Sequence, residues 1–115
     1  MLNVRNLDSI TRTQFAQNIV ALKLPRNNLG DQGISFICCS TRLKHIIKLD
    51  LSSNLLTKTG AEMIAESDKF PKLQVLDLCS NKITNDGFIS LIKSKNYPML
   101  ADLRLDTNQV EEAGA

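Results

Sequence analysis

The stretch that decides the fold is Leu49-Asp50-Leu51-Ser52-Ser53-Asn54-Leu55-Leu56, because the chain carries its pattern four times. Two leucines are separated by one residue, an asparagine follows three residues later, and another apolar residue comes two positions after that. The four copies start at Leu22, Leu49, Leu76 and Leu103, so every step is 27 residues. A fixed period of this length is the signature of a repeat architecture.

The same period holds outside the quoted stretch. The glycines Gly33, Gly60, Gly87 and Gly114 keep it, and so do the apolar residues Ile19, Ile46, Leu73 and Leu100. Chance does not hold so many positions in register over four copies. The 27-residue repeat therefore includes the residues between the quoted stretches as well.

Each copy predicts a short strand and a turn. Alternate side chains of a strand point to opposite sides, so each Leu-x-Leu places both leucines on the inner side. The asparagine amide has both a donor and an acceptor, which can satisfy backbone groups where the chain turns. We therefore predict a structural ladder of four asparagines: Asn27, Asn54, Asn81 and Asn108.

A helix is predicted after each turn. Thr57 and Thr84 are suited to cap it, and Pro71 and Pro98 mark the return to the next strand. Apolar residues follow at the helical spacing and are predicted to face the core: Ile34, Ile37 and Cys38, then Ala61, Ile64 and Ala65, then Phe88, Leu91 and Ile92. One unit cannot bury its apolar face alone, so stacking of the units must supply the core.

The pattern LxxLxLxxNxLxxxG, with isoleucine or valine at some leucine positions, resembles the leucine-rich repeats. The second copy carries it in full, at Ile46, Leu49, Leu51, Asn54, Leu56 and Gly60. The repeat length and the helix are similar to the ribonuclease-inhibitor-like subfamily. The resemblance implies an α/β solenoid in a short horseshoe arc, with a parallel inner sheet, outer helices and a concave sheet face that most often binds partners. That family serves many unrelated partners, so it names none for this chain.

The 115 residues are predicted to form one domain. Residues 1–18 are expected to be an N-terminal half-repeat with a capping helix over 7–18. Residues 19–45, 46–72 and 73–99 are full repeats, and 100–115 form a partial repeat. We expect this domain to belong to a longer protein.

Composition excludes several classes of function. The net charge of +2 is too small to indicate nucleic acid or an anionic membrane as the partner. Three cysteines, with Cys38 next to Cys39, are not a disulfide framework, and no Asn-x-Ser/Thr sequence occurs. These features favour an intracellular, cytoplasmic protein.

Residues that flank the strand leucines are predicted to face the concave side, in rows across neighbouring strands. The partner-binding candidates are Lys23, Arg26, Lys48, Asp50, Ser53, Val75, Asp77, Asp102, Arg104 and Asp106. Lys23, Asp50, Asp77 and Arg104 form one such row, which is interpreted either as a self-neutralising ladder or as a recognition stripe. The stripe would be basic towards Arg26 and acidic towards Asp102 and Asp106.

No catalytic, metal or cofactor site is predicted. Carboxylates on parallel strands splay apart, which argues against a metal at Asp50, Asp77 and Asp106. The cysteines lack zinc spacing, with Cys38 expected in the core and Cys39 exposed. His45 has no nucleophile or orienting acid placed near it by the repeat.

The leading functional prediction is a non-catalytic scaffold that binds another protein on its concave face. One alternative is a regulator of an enzyme, such as a GTPase-activating protein of this repeat class, although no residue-by-residue match supports it. Another is self-association through the edge strand at 103–105.

Overall fold

Four short strands alternate with three helices in a computed structural model that describes residues 20–108. The order is β1 (Ala21–Lys23), α1 (Gly30–Cys38), β2 (Lys48–Asp50), α2 (Lys58–Glu66), β3 (Val75–Asp77), α3 (Asn85–Lys93) and β4 (Asp102–Arg104). The predicted capping helix over 7–18 and the end of the partial repeat, from residue 109, lie outside the described residues. Each helix has nine residues, less than half of the ~20 that a bilayer requires. No helix within residues 20–108 could therefore cross a membrane.

The strands form one parallel sheet in the order β1-β2-β3-β4. The register pairs each strand residue with the residue 27 positions later, so Leu22, Leu49, Leu76 and Leu103 align across the sheet. Helices α1 and α2 pack side by side, as do α2 and α3. The α/β solenoid with an inner parallel sheet and outer helices is confirmed.

The core lies between the sheet and the helices. In the two central repeats the strand leucines Leu49, Leu51, Leu76 and Leu78 are fully buried. Leu43 and Phe70, which occupy the same position of successive repeats on the return to the strand, are also fully buried. At roughly 1.5–3 kcal/mol for each buried aliphatic or aromatic side chain, stacking of repeats supplies most of the stabilisation.

The asparagine side chains connect neighbouring repeats at the turns. The Asn54 Oδ1 atom accepts the N–H groups of Asn27 (2.9 Å) and Leu29 (3.3 Å), and its Nδ2 group donates to the Leu24 carbonyl (2.8 Å). Asn81 Oδ1 accepts from Asn54 N–H (2.9 Å) in the same way. Each amide thus satisfies turn groups that the parallel ladder leaves without partners.

The turn itself uses a left-handed backbone in every repeat. Two residues after the second leucine of each Leu-x-Leu, φ is between 55° and 59° in all four copies: Arg26, Ser53, Ser80 and Thr107. Such values cost roughly 1 kcal/mol or more for a residue other than glycine. The repeat offsets this cost with hydrogen bonds, since Ser53 N–H donates to the Cys79 carbonyl at 3.0 Å.

The helix starts differ from one repeat to the next. Thr57 caps α2 as predicted, since its side chain accepts the Thr59 N–H at 3.2 Å. Thr84 occupies the cap position of α3 but makes no side-chain cap hydrogen bond, so that part of the prediction is wrong. Leu29 takes the cap position of α1, and its apolar side chain cannot accept a hydrogen bond.

The predicted apolar face of α3 is only partly buried. Leu91 is buried, Phe88 is half-buried and Ile92 is 58% exposed. The equivalent Cys38 and Ala65 are buried because the next helix packs over them. The prediction of Ile92 as a core residue is therefore wrong, because within residues 20–108 no helix follows α3.

Candidate functional site

The candidate site is the concave face of the sheet, where the strand register brings the predicted residues into rows. Lys48 lies beside Val75, and Val75 beside Asp102. The neighbouring row contains Lys23, Asp50, Asp77 and Arg104 in adjacent strands. Side chains in one row of neighbouring strands stand about 4.8 Å apart. The geometry therefore places the predicted strand residues on one surface.

Within residues 20–108 the members of the charged row form no ion pair with one another within 4.0 Å. Arg104 pairs with Asp102 of its own strand, with its NH2 atom 2.8 Å and its Nε atom 2.9 Å from Asp102 Oδ2. This hydrogen bonding raises the pKa of Arg104. Among the described residues no cation lies within 4.0 Å of the carboxylates of Asp50 and Asp77.

Asp50 and Asp77 instead support the start of the turn. The Asp50 Oδ1 atom accepts the Ser52 N–H at 3.0 Å and the Ser52 hydroxyl at 2.8 Å. The Asp77 Oδ1 atom accepts the Cys79 N–H at 3.0 Å. Aspartate commonly bonds the backbone two residues on in this way. One oxygen of each carboxylate is occupied by the turn, and both residues stay only half-buried.

The remaining predicted residues lie at the end of the concave face where the strands enter the turns. Arg26 and Asp106 are exposed, and Ser53 is half-buried. Arg26 follows β1 and Asp106 follows β4, so opposite charges lie at opposite ends of the sheet. The surface is basic at β1, where Lys23 and Arg26 lie, and acidic towards β3 and β4.

The single histidine and Cys38 lie away from this surface, whereas Cys79 lies on it. His45 is half-buried, and its Nδ1 atom lies 3.4 Å from Lys72 Nζ. Cys38 is buried, and burial raises the pKa of its thiol to about 12. Burial and a hydrogen bond to Asp77 also raise the pKa of Cys79 on the concave face. Within residues 20–108 no cluster of histidine, cysteine or acidic residues could hold a metal ion.

A second hydrogen-bond ladder, at the ends of the helices, was missed by the sequence reasoning. Ser67 donates its hydroxyl to the Cys38 carbonyl at 3.0 Å, and Ser94 donates to the Ala65 carbonyl at 2.6 Å. Each serine hydroxyl thus binds the last turn of the helix in the preceding repeat. Ser40, Ser67 and Ser94 follow the 27-residue period, so the signal was present in the sequence.

A second surface lies on the helical side, in an open groove of about 640 Å³ between α2 and α3. Glu62 and Glu66 line one wall, and Lys93 and Lys95 line the other. Both acidic and basic side chains are present, but they do not form an in-register row like the charged row on the sheet. This groove is the main competitor to the concave face as a binding surface.

The geometry defines a leucine-rich-repeat solenoid of the ribonuclease-inhibitor-like type. Residues 16–38, 42–65 and 71–91, together more than half of the chain, match the family described as "Leucine Rich repeat". The chain belongs to this family. A search of curated proteins found no match.

Two solved structures share the fold. A structure described as leiomodin-1 actin-binding site 2 superposes with a TM-score of 0.72 at 14% identity, covering 92% of this chain and 60% of that chain. The tropomodulin C-terminal domain of Caenorhabditis elegans gives a TM-score of 0.74 at 18% identity, covering 91% of this chain and 65% of that one. The chain thus spans less than two thirds of the length of either structure. At these identities the likeness shows the fold alone.

Proposed function

We propose that this chain is a protein-interaction module that binds its partner on the concave face of the sheet. The observation that carries the proposal is the in-register row of charged side chains on β1 to β4, which contribute nothing to the apolar core. The proposed contact residues are Lys23, Arg26, Lys48, Asp50, Ser53, Val75, Asp77, Asp102, Arg104 and Asp106. Binding residues held on rigid strands lose little conformational freedom when a partner docks.

The charge distribution supports a partner with a complementary, two-sign surface. β1 and its turn carry Lys23 and Arg26, β2 carries one charge of each sign, and the acidic residues Asp77, Asp102 and Asp106 outnumber Arg104 on the side of β3 and β4. Asp50 and Asp77 have no cation within 4.0 Å among residues 20–108, so an incoming basic group would meet carboxylates that are still available. Complementary charge contributes mainly to specificity and to the rate of association.

Actin is the first protein to test as a partner. The solved leiomodin-1 structure, which has the same fold as this chain, is described as an actin-binding site. We propose direct binding measurements with monomeric and filamentous actin. The proposal of a concave binding face does not depend on actin as the partner.

A pull-down from cell extract tests the binding face. The test variant changes Lys48, Asp50, Asp77 and Arg104 to alanine. This sheet variant and a control variant are each compared with the unchanged chain. A matched control changes Glu66, Asp68, Lys93 and Lys95 to alanine, which also removes two charges of each sign but from exposed positions at or just after the ends of α2 and α3.

A protein retained by the unchanged chain and the helical control, but lost by the sheet variant, supports the proposal. Retention by the sheet variant together with loss by the helical control would move the site to the groove between α2 and α3. Circular dichroism of all three proteins shows whether a loss of binding comes from unfolding.

We also propose an intracellular, cytoplasmic setting for this module. The exposed Cys39 and the half-buried Cys79 are both free thiols, a state that a reducing compartment maintains. Fractionation of cells that express this protein tests this proposal.

A further inference from the structure

The segments that return the chain from a helix to the next strand carry an excess of positive charge. Residues 40–47 lead from α1 to β2, and residues 67–74 lead from α2 to β3. We call the surface of these two segments the return edge. Residues 20–108 contain twelve lysine and arginine residues and nine acidic ones, of which the return edge has four and one. Eight of each sign remain elsewhere, so the local excess of positive charge lies on the return edge.

The 27-residue period places basic side chains of the two segments beside one another. Arg42 and Lys69 share one position of the repeat, and His45 and Lys72 share another. The Lys72 Nζ atom lies 3.4 Å from His45 Nδ1. An ammonium group has donors only, so in this contact the ring nitrogen accepts and the imidazole carries its proton on Nε2. The pair can therefore offer both ammonium and imidazole N–H groups to an incoming acceptor.

Most cations of the return edge are not neutralised by the chain. The Lys69 Nζ atom lies 3.3 Å from Asp68 Oδ1. Arg42, Lys44 and Lys72 are exposed, and in the described part of the chain no carboxylate oxygen lies within 4.0 Å of them. Cations that lie close together without counter-charges attract a negatively charged ligand.

An apolar side chain adjoins these cations. Ile47, which directly precedes β2, is 39% exposed. Its carbonyl accepts the N–H groups of Gln74 at 2.8 Å and Val75 at 3.1 Å, so its backbone is held against the next repeat. The exposed Pro71 adds apolar surface on the second segment. Since β2 has a strand on either side, the position of Ile47 is set by described residues.

The combination favours an acidic polypeptide over other anionic ligands. Single-stranded nucleic acids are held by bases that stack on aromatic rings as well as by cations. The aromatic residue of the return edge, Phe70, is fully buried and offers no ring for stacking. Three cations without counter-charges are also fewer than the roughly four to eight in a membrane-binding cluster. A polypeptide can supply both carboxylates and an aliphatic side chain for Ile47.

We propose that the return edge binds an acidic segment of a partner protein that includes an aliphatic side chain. Carboxylates of this segment pair with Arg42, Lys44 and Lys72, and the aliphatic side chain packs on Ile47. The return edge shares no residue with the concave-face contact set. The proposal therefore goes beyond the proposed function and does not rest on it.

Fluorescence anisotropy of labelled peptides with the full chain at low ionic strength tests this binding. The probe is a peptide of glutamate residues on both sides of one leucine. One control peptide has glutamine for every glutamate, and the other has serine for the leucine. We expect the glutamate peptide to bind, the serine peptide to bind more weakly and the glutamine peptide not to bind. Added salt should weaken binding, because it screens exposed charges.

Several outcomes would overturn the proposal. One is that the glutamate peptide does not bind, and another is that the glutamine peptide binds equally well. Equal binding of the serine peptide would overturn the role given to Ile47. Tighter binding of oligothymidine, or of phosphatidylserine vesicles, would assign the return edge to nucleic acid or to membranes instead.

Charge reversal locates the peptide on the chain. Lys44→Glu combined with Lys72→Glu should raise the dissociation constant of the glutamate peptide by about tenfold or more. The matched control combines Lys82→Glu with Lys93→Glu, which makes the same charge change at exposed positions outside the return edge. It should have a much smaller effect, because screening limits attraction over long distances. An equal loss in both double variants would show attraction to net charge alone and overturn the site.

The sheet variant separates this proposal from the proposed function. It removes two charges of each sign from the concave face and none from the return edge, so it should bind the glutamate peptide as the unchanged chain does. Loss of peptide binding in the sheet variant would place the peptide on the concave face and overturn the return-edge site. Failure of the peptide to bind the unchanged chain would leave the pull-down test of the concave face unaffected.

Discussion

Gly60 of α2 leaves space for the carboxylate of Asp31, which lies on α1 of the preceding repeat. A Cβ atom at position 60 would lie 2.4 Å from Asp31 Oδ1. The carboxylate cannot move away cheaply, because Oδ1 accepts the Thr57 N–H at 3.0 Å and Oδ2 accepts the Thr57 hydroxyl. The glycine that keeps the 27-residue period is thus required by the contact between neighbouring helices.

We predict that Gly60→Ala destabilises the fold even though alanine favours a helix. The gain in helix propensity is about 1 kcal/mol, whereas losing hydrogen bonds to a charged group costs roughly 1.5–3 kcal/mol. The free energy of unfolding should therefore fall by about 1 kcal/mol, as measured by urea denaturation. In an Asp31→Ala background the same change should be neutral or stabilising. An equal loss in both backgrounds would contradict the role given to Asp31.

Asn81 should be among the most sensitive polar residues in the domain. It is 6% exposed, and its Oδ1 atom accepts from Asn54 N–H at 2.9 Å and Leu56 N–H at 3.0 Å. Its Nδ2 group also donates to backbone carbonyls, including that of Leu51 at 3.1 Å. Asn81→Ala leaves several buried backbone groups without partners, so the free energy of unfolding should fall by about 3 kcal/mol or more.

The comparison for Asn81→Ala is Lys82→Ala, at an exposed neighbouring position. Thermal and urea denaturation of both variants should show a large loss for the first and a change within about 0.5 kcal/mol for the second. Similar stabilities for the two variants would mean that the asparagine ladder contributes little.

The asparagine ladder and the charged row were both predictable from the sequence, because the 27-residue period fixes which residues share a row. The positions of Lys23 beside Asp50, and of Asp77 beside Arg104, follow from the period alone and agree with the strand register. The charge pairing could not be predicted in this way. Whether Arg104 pairs with Asp77 or with Asp102 depends on side-chain conformers, which a repeat pattern does not contain.

The hydroxyls of Ser67 and Ser94, which donate to helix carbonyls of the preceding repeat, should contribute unequally to stability. Ser67→Ala removes the hydroxyl that donates to the Cys38 carbonyl at 3.0 Å. Ser94→Ala should cost less, because the Ala65 carbonyl keeps a second donor in Asn96 Nδ2 at 3.0 Å. We expect losses of about 1–2 kcal/mol for Ser67→Ala and less than half of that for Ser94→Ala, measured by urea denaturation. The reverse order would show that these hydroxyls do not act through the helix carbonyls.

Cys38 makes the stability of the fold depend on pH in the alkaline range. Burial raises the pKa of its thiol from 9.0 to about 12 in the folded state. Because the unfolded state loses this proton first, the contribution of the neutral thiol is fully present below pH 9 and is lost as pH rises towards 12. The free energy of unfolding should therefore decline above pH 9.

Cys38→Ala tests this pH dependence with a side chain that the fold already accepts, since Ala65 occupies the equivalent position in the next repeat. The variant should show a shallower decline of stability between pH 9 and pH 11 in urea denaturation. Burial also raises the pKa of Tyr97, so a weaker alkaline decline should remain in the variant. An unchanged slope in Cys38→Ala would exclude the thiol as its source.

Site-specific photo-cross-linking tests the central claim, that a partner binds the concave face, most directly. A photoreactive amino acid is placed at the exposed Lys23 of β1 and, in a separate protein, at the exposed Lys93 of α3. Both proteins are irradiated in the same cell extract. The proposed function predicts a distinct cross-linked protein from position 23 and none from position 93. Cross-linking from position 93 alone would contradict it and assign partner binding to the helical side.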